Sequence, residues 1–357
     1  MDIKKLRQKI DAIDDKIVDL LNERFSVSSD IKDYKIKNSL NVHNFAREKE
    51  ILLRLNKKLK APLTKEYLEN IYNEIFSSSR ALQEITKVAF LGPEATYSHI
   101  AGLKFFGKSY EYIPVQTIND VFTEVEKGNV KFGVVPIENS TEGMVNYTLD
   151  VFMDSDVKIY NEISINIHHC LLSASTKMAD IKKIFVHPQT QAQCRIWIET
   201  HYPNVKLEQV ESNALAAQNA KDEKNTAAIA SEVAAEIYGL NILEEQIEDK
   251  SNNMTRFLII SNEMAEKTEC SKTSILFSVK DKVGALYEML LPFRKNSINL
   301  TKIESRPTKK KAWEYVFFVD LLGHKDDEKV KEALQELEKK CLFLKILGSY
   351  PTDKNRE

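Results

Sequence analysis

Residues 3–37 read IKKLRQKIDAIDDKIVDLLNERFSVSSDIKDYKIK, and the spacing of their apolar positions decides how the first part of the chain folds. Ile3, Leu6, Ile10, Ile13, Ile17 and Leu20 recur in alternating steps of three and four, and Val27, Ile31 and Tyr34 resume the seam. That spacing predicts one long amphipathic helix. Arg24 stands at the step where the next aliphatic residue belongs. A guanidinium keeps its proton at any ordinary pH, so burying it in an apolar seam costs several kcal/mol unless an anion meets it. An anionic ligand would satisfy it, and so would Glu23, Asp30 or a carboxylate of another helix. Arg7 lies 17 positions earlier, about 25 Å along a helix axis, too far for one small ligand to touch both. If both serve one site, two chains contribute to it, as in an intertwined dimer with antiparallel first helices.

Helical spacing continues to about residue 86. A second helix is expected from about Phe45 to Lys60, and a third begins after Pro62 with Thr64 as its N-cap. Leu68, Ile71, Tyr72, Ile75 and Phe76 form the third helix's stripe, and Ser79 and Gln83 continue it as inward-facing polar residues. From Lys87 short β-branched runs at 88–91, 132–137, 163–172, 184–186, 227–230 and 257–260 alternate with helical stretches. Such alternation predicts an open, mostly parallel α/β sheet. A polar linker over 262–272 leads to strand 273–280, helix 283–295, strands 298–305 and 314–321, helix 326–340 and strand 342–348. The order βαββαβ is the α+β ferredoxin-like arrangement. The expectation is a multidomain chain: an all-α domain over 1–86, an α/β domain over 87–265 and an α+β domain over 272–357.

With 357 residues, 43% hydrophobic and 29% charged, the chain has ordinary globular composition. A formal charge of -2 provides no basic field for nucleic acid, which turns attention to small molecules. Met1 leads straight into a charged helix, with no apolar signal core and no run able to span a bilayer, so cytoplasmic location without membrane contact is expected. Cys170, Cys194, Cys270 and Cys341 are scattered, with no CxxC pair, which suggests reduced thiols and neither disulfides nor zinc. His168 and His169 adjoin Cys170 within an expected strand, where neighbours point to opposite faces, so no metal site is expected.

Leu6-Arg7, Ile10-Asp11, Asp14, Leu20-Leu21, Glu23-Arg24, Lys35, Arg47-Glu48 and Ser79 through Gln83 together resemble the all-helical chorismate mutase domain. The resemblance implies that Arg24, Arg47 and Arg7 of a partner chain hold two carboxylates of chorismate. By the same resemblance Lys35 and Gln83 face the ether oxygen as the catalytic groups, Glu48 takes the ring hydroxyl, and Asn44 and Ser79 complete the pocket. A Claisen rearrangement suits such a set, because it needs only a held conformer and donors where charge develops. Asn44 replaces an acidic residue usual in the family.

In the α/β segment the polar clusters follow strands: Gly92-Pro93-Glu94-Ala95-Thr96-Tyr97-Ser98, Glu138 through Gly143, His187-Pro188-Gln189, and Ser231. Loops at the carboxyl ends of such strands are where open sheets bind ligands. Gly92-Pro93 with Thr96-Tyr97-Ser98, Val135-Pro136-Ile137-Glu138-Asn139-Ser140, His187-Pro188-Gln189 through Gln193-Cys194, Glu211-Ser212, Tyr238-Gly239-Leu240 and Asn252-Asn253-Met254-Thr255-Arg256-Phe257 together resemble prephenate dehydratase. The resemblance implies two α/β lobes around a cleft, like a periplasmic binding protein. It makes Thr255 the proton donor and puts Arg256 and Asn139 at carboxylates and Phe257 at the ring. Thr96, Ser98, Ser140, Gln193 and Ser231 then supply further polar contacts. Ala95 stands where the family usually has glycine, which would strain a loop with positive φ by about 1 kcal/mol.

Gly284-Ala285-Leu286 and Asn299-Leu300-Thr301-Lys302-Ile303-Glu304-Ser305-Arg306-Pro307 resemble the phenylalanine-binding signatures of the ACT domain. That likeness implies an effector site formed by Gly284, Ala285, Leu286, Asn299, Leu300, Glu304, Ser305, Arg306 and Pro307. The three resemblances imply a bifunctional enzyme of phenylalanine biosynthesis, without cofactor or metal, regulated by L-phenylalanine and assembled as a homodimer or larger. A helical segment that only clamps a dehydratase dimer, and a sensor without catalysis, are the competing readings.

Overall fold

The computed structural model describes residues 2–38, 45–82, 86–250, 252–279, 282–307 and 315–352. Asn44, Gln83 and the Lys309-Lys310-Lys311 run lie outside the described residues. The chain forms two compact units: the segment up to Thr86 with Phe106–Glu111, and the remainder.

The first unit contains α1 (Ile3–Lys37), α2 (Phe45–Asn56) and α3 (Lys65–Ala81). Thr64 caps α3, its side chain accepting the Tyr67 N–H, as its sequence position predicts. α2 stops at Asn56, one turn short of the expected Lys60. Helix α3 buries Leu68, Phe76, Ser77, Ser79 and Arg80. Segment Phe106–Glu111 packs onto it: the Ser109 N–H donates to Ser77 Oγ at 3.1 Å. A Cβ on Gly107, whose φ is +83°, would stand 2.5 Å from Ser77. The α1 seam stays uncovered in a single chain, with Ile3, Ile10, Ile13, Ile17, Leu20, Val27 and Ile31 each 47–64% exposed.

The second unit begins with one lobe built from β1 (Lys87–Leu91), α4 (Tyr97–Phe106), β2 (Glu111–Val115), α5 (Ile118–Glu126), β3 (Phe132–Asn139), β4 (Gly143–Met144), α6 (Asn146–Asp154) and β5 (Lys158–Asn166). The other lobe contains β6 (Cys170–Ser173), β7 (Lys183–Val186), α7 (Pro188–Gln193), α8 (Arg195–His201), β8 (Lys206–Gln209), α9 (Asn213–Asp222), β9 (Thr226–Ala230), α10 (Glu232–Tyr238) and β10 (Asn241–Glu244). The chain then returns to the first sheet as β11 (Met254–Ser261). The sheet orders are β2-β1-β3-β11-β5 and β10-β6-β9-β7-β8. These sheets are mixed, which corrects the mostly parallel expectation: β11 runs antiparallel to β3 and β5, and β6 antiparallel to β9 and β10. In the first sheet β11 enters after the chain has crossed to the other lobe and back, between two strands already laid down. The expected single strand over 163–172 is two strands in two sheets, divided at Ile167–His169.

The rest of the unit is β12 (Ser271–Val279), α11 (Ala285–Lys295), β13 (Leu300–Pro307), β14 (Tyr315–Leu322), α12 (Glu328–Glu338) and β15 (Phe343–Pro351). The order βαββαβ is the one read from the sequence. Its sheet, β13-β14-β12-β15, is antiparallel throughout. One face buries Ile275, Phe277 and Val319 against Met289 and Phe293 of α11 and Leu334 of α12. At the β15 edge Gly348 packs so closely on β5 that a Cβ would lie 2.2 Å from the Ile159 carbonyl oxygen.

Candidate active sites

In the helical unit α1 and α3 bring Arg24 to Ser79, with Nη1 donating to Oγ at 2.5 Å. The guanidinium also stands 5.5 Å from the centroid of the Phe76 ring. Burial lowers the Arg24 pKa, while Tyr72 and Glu48 raise it. Glu48, from α2, faces Arg80 of α3, whose Nη1 lies 2.5 Å from both carboxylate oxygens. Burial pushes the Glu48 carboxyl up from its ordinary value, against Arg80 first and then Arg24 and Lys35. The structure therefore gathers Arg24, Glu48 and Ser79, with Lys35 in electrostatic reach. It leaves Arg47 exposed beside Glu50 and Arg7 exposed on the open seam. Arg80 was not foreseen. Its only signal was a cation one turn beyond Phe76 on the apolar stripe.

The second cluster lies where β3 and β11 pair. Asn139 and Thr255 are register partners, and Asn139 Nδ2 donates to Thr255 Oγ1 and to Asn253 Oδ1, each at 2.8 Å. Asn139 Oδ1 accepts from the Thr141 hydroxyl and N–H and from the Glu142 N–H. Its amide is thus fully used in holding Thr255 and the loop, with no donor left for a carboxylate. Thr255 accepts through its oxygen, so its own hydroxyl proton is available to donate. Ser140 clamps the same place, its hydroxyl donating to the Asn252 carbonyl and accepting from the Met254 N–H. Asn253, 3% exposed, belongs to the quoted motif but was assigned no role from the sequence.

Two expected members of this cluster stand elsewhere. Arg256 follows Thr255 in a strand and so turns to the opposite face. There its Nη1 meets Glu162 at 3.0 Å and Asp320 at 2.9 Å. Burial works against its charge, but Asp320, Tyr350 and Glu162 together raise its pKa. Its expected role at a substrate carboxylate is therefore not the arrangement found. Phe257, 2% exposed, is sealed in the core and presents no surface to a substrate ring.

Of the remaining dehydratase positions, Thr96 Oγ1 donates to the Leu91 carbonyl at 2.9 Å and Ser98 is buried. Ser231 caps α10 through the Ala234 N–H and reaches the Ala95 carbonyl at 3.4 Å. Ala95 has φ +66°, the left-handed conformation that its replacement of glycine raised as a question. Gln193 Oε1 is 2.9 Å from His169 Nε2, and His169 Nδ1 is 3.2 Å from the Tyr97 hydroxyl. His168 pairs with Glu248 at 2.7 Å. The two histidines lie between strands at the lobe crossover, and no group of three metal-ligating side chains occurs among the described residues.

In the last domain Gly284 has φ +77° and precedes α11, with open space where a side chain would stand. Ala285 is buried, Leu286, Leu300 and Glu304 are half-buried, and Asn299, Ser305 and Pro307 are exposed. Arg306 is already held by Asp150 of α6 at 3.0 Å.

Two separate polar clusters and a βαββαβ module give the chain two candidate centres and a further α+β domain. Comparison with known proteins gives this arrangement its identity. Family models match as chorismate mutase type II over residues 6–84, prephenate dehydratase over 88–265 and ACT domain over 273–339. A bifunctional chorismate mutase/prephenate dehydratase of Aquifex aeolicus is 51% identical over 354 residues, covering 98% of both chains. The enzyme of that description from Stutzerimonas stutzeri is 44% identical over 98% of this chain and 97% of its own. A solved prephenate dehydratase in complex with L-Phe, from Arthrobacter aurescens, is 33% identical with TM-score 0.69, over 74% of this chain and 90% of that one. The chain belongs to the bifunctional chorismate mutase/prephenate dehydratase family and has both activities.

Proposed function

We propose that the chain acts in the cytoplasm in phenylalanine biosynthesis, converting chorismate to prephenate in its helical unit and prephenate to phenylpyruvate at Thr255. The uncovered α1 seam supports a homodimer or larger assembly in which Arg7 of the partner subunit joins Arg24 at the substrate. Arg24 and Arg47 then hold carboxylates, Lys35 and Gln83 face the breaking C–O bond, and Glu48 takes the ring hydroxyl. Asn44 and Ser79 complete this pocket. At the second centre Thr255 donates its proton to the departing ring hydroxyl. The bond to the ring carboxylate breaks, its electron pair enters the ring, and water and carbon dioxide leave. Thr255 regains a proton from solvent, so one proton is consumed per turnover. Asn139 and Asn253 orient Thr255, and Ser140, Thr96, Ser98, Gln193 and Ser231 line its surroundings. L-Phenylalanine, the ligand of the Arthrobacter relative, is the effector at Gly284–Leu286 and Asn299–Pro307.

The observation that carries the dehydratase reading is the Thr255 hydroxyl, held through its oxygen by Asn139 and free to donate. The test is a progress curve on chorismate, with no added cofactor or metal, following chorismate, prephenate and phenylpyruvate separately. Phenylpyruvate formation supports both centres. Consumption of prephenate but not chorismate reduces the helical unit to a clamp, and consumption of neither overturns the reading.

A further inference from the structure

Behind Thr255 lies a cluster of charge, buried at Asp320, largely buried at Arg256 and partly open at Glu138, that the reaction does not use. On β3 and β11 the partner pairs are Asn139 with Thr255 and Glu138 with Arg256. Alternation across a strand sends the second pair to the opposite face from the first. On that face β13 and β14 present Lys302 and Asp320, which are themselves register partners. Four of these charges meet crosswise: Arg256 Nη1 is 2.9 Å from Asp320, Lys302 Nζ is 2.5 Å from Glu138, and Arg256 Nε is 3.3 Å from Glu138, while Glu162 adds a further carboxylate 3.0 Å from Arg256 and is itself held by Lys272. Asp320 is wholly buried and also accepts from Ser274. Both sheets carry a register shift here, between Arg256 and Phe257 and between Leu300 and Lys302. Bulges of this kind re-aim side chains beside active sites.

Buried ion pairs lose most of their attraction to desolvation, so net stability is a weak reason for this arrangement. Geometry is a better one. Each charge on β3 and β11 is one residue from a side chain of the Thr255–Asn139 pair. We infer that the quartet holds the two catalytic strands in register with the ACT domain, making Lys302 and Asp320 positioning residues for the dehydratase reaction. This inference rests on the proposed role of Thr255. Neither residue touches substrate; both act through Glu138 and Arg256.

The test is steady-state turnover of prephenate by full-length Lys302→Gln, Asp320→Asn and Lys302→Arg. A misplacement of the order of 1 Å costs up to about 100-fold, so the first two are expected to lose about 10- to 100-fold in kcat. KM should stay within about twofold, because ground-state binding is untouched. Lys302→Arg keeps the charge and should restore most of the turnover. Lys302 lies on an edge strand, so its replacement tests the idea even if Asp320→Asn fails to fold. Unchanged kcat in a folded Lys302→Gln overturns the inference while the dehydratase reading stands. So does a rise in KM at full kcat, which would assign the cluster to substrate binding. Absence of turnover in the unsubstituted chain defeats the Thr255 reading itself, and this inference with it.

Discussion

Replacing Arg80 by leucine should expose how the helical unit is held. The Arg80 guanidinium, 4% exposed, meets both oxygens of Glu48 and donates through Nη2 to the Phe106 carbonyl at 2.6 Å. It also lies over the Phe45 and Tyr110 rings, at 5.0 and 5.3 Å. Removing one partner of such a pair strands the other, at a cost of about 3–5 kcal/mol. That is a large part of the roughly 5–15 kcal/mol of an ordinary domain. The loss should depend on pH. Burial already raises the Glu48 pKa above 4.5, and without Arg80 nothing as close opposes that shift. An acid with a raised folded pKa binds more protons folded than unfolded, so stability falls as pH rises. Arg80→Leu should therefore be least stable at neutral and alkaline pH and recover toward pH 5. Residues 1–86 contain no tryptophan, so far-UV circular dichroism or thermal loss of mutase turnover is the assay. Equal stability of the variant at pH 5 and pH 8 would refute the reasoning.

Thr255→Val should lower prephenate turnover by about 10²- to 10⁴-fold, the usual worth of a positioned acid, while mutase turnover persists; retained dehydratase activity removes Thr255 as donor. Gly348→Ala forces a Cβ onto the Ile159 carbonyl and should cost about 1–3 kcal/mol in urea unfolding, as overpacking does. Burial holds the His169 pKa below 6.5, against Gln193 and Glu248. Its contribution is thus present above pH 6.5 and lost as pH falls toward the folded value. His169→Gln should flatten that acid limb in urea midpoints taken from pH 7 to 5, and an identical slope counts against the assignment.

Local signals were legible in the sequence. The α1 seam, the Thr64 cap and the βαββαβ order each depend on residues close together in the chain. Strands β2, β8 and β10 were not foreseen, and all three are sheet edges. Edges are half-exposed, so Glu111–Val115, Lys206–Gln209 and Asn241–Glu244 lack the apolar runs of central strands. The division at Ile167–His169 was hidden because Ile163, Ile165 and Ile167 lead on to Leu171 and Leu172 with no Gly or Pro between them, and only tertiary structure assigns the two strands to different sheets. At the sites, the apolar stripes marked Arg24 as needing a partner and Ser79 as facing inward, whereas Glu48, Asn139 and Thr255 were marked by family resemblance. Sequence could not supply Arg80, or a role for Asn253, whose partners lie 32 and 114 positions away.

Met254-Thr255-Arg256-Phe257 shows how a compact motif divides between two surfaces. Neighbours in a strand point in opposite directions, so Thr255 and Arg256 could not both face one substrate without a break in the strand. No such break separates them: Thr255 and Arg256 pair in regular succession with Asn139 and Glu138, and the register shift comes only after Arg256. Period two alone therefore divides the motif between two surfaces, and sequence could have said so. What each surface meets is long-range information. Asp320 lies 64 positions from Arg256 and Asn139 lies 116 from Thr255. A substitution at Thr255 should thus register in the chemistry directly, whereas one at Arg256 reaches it through the strand.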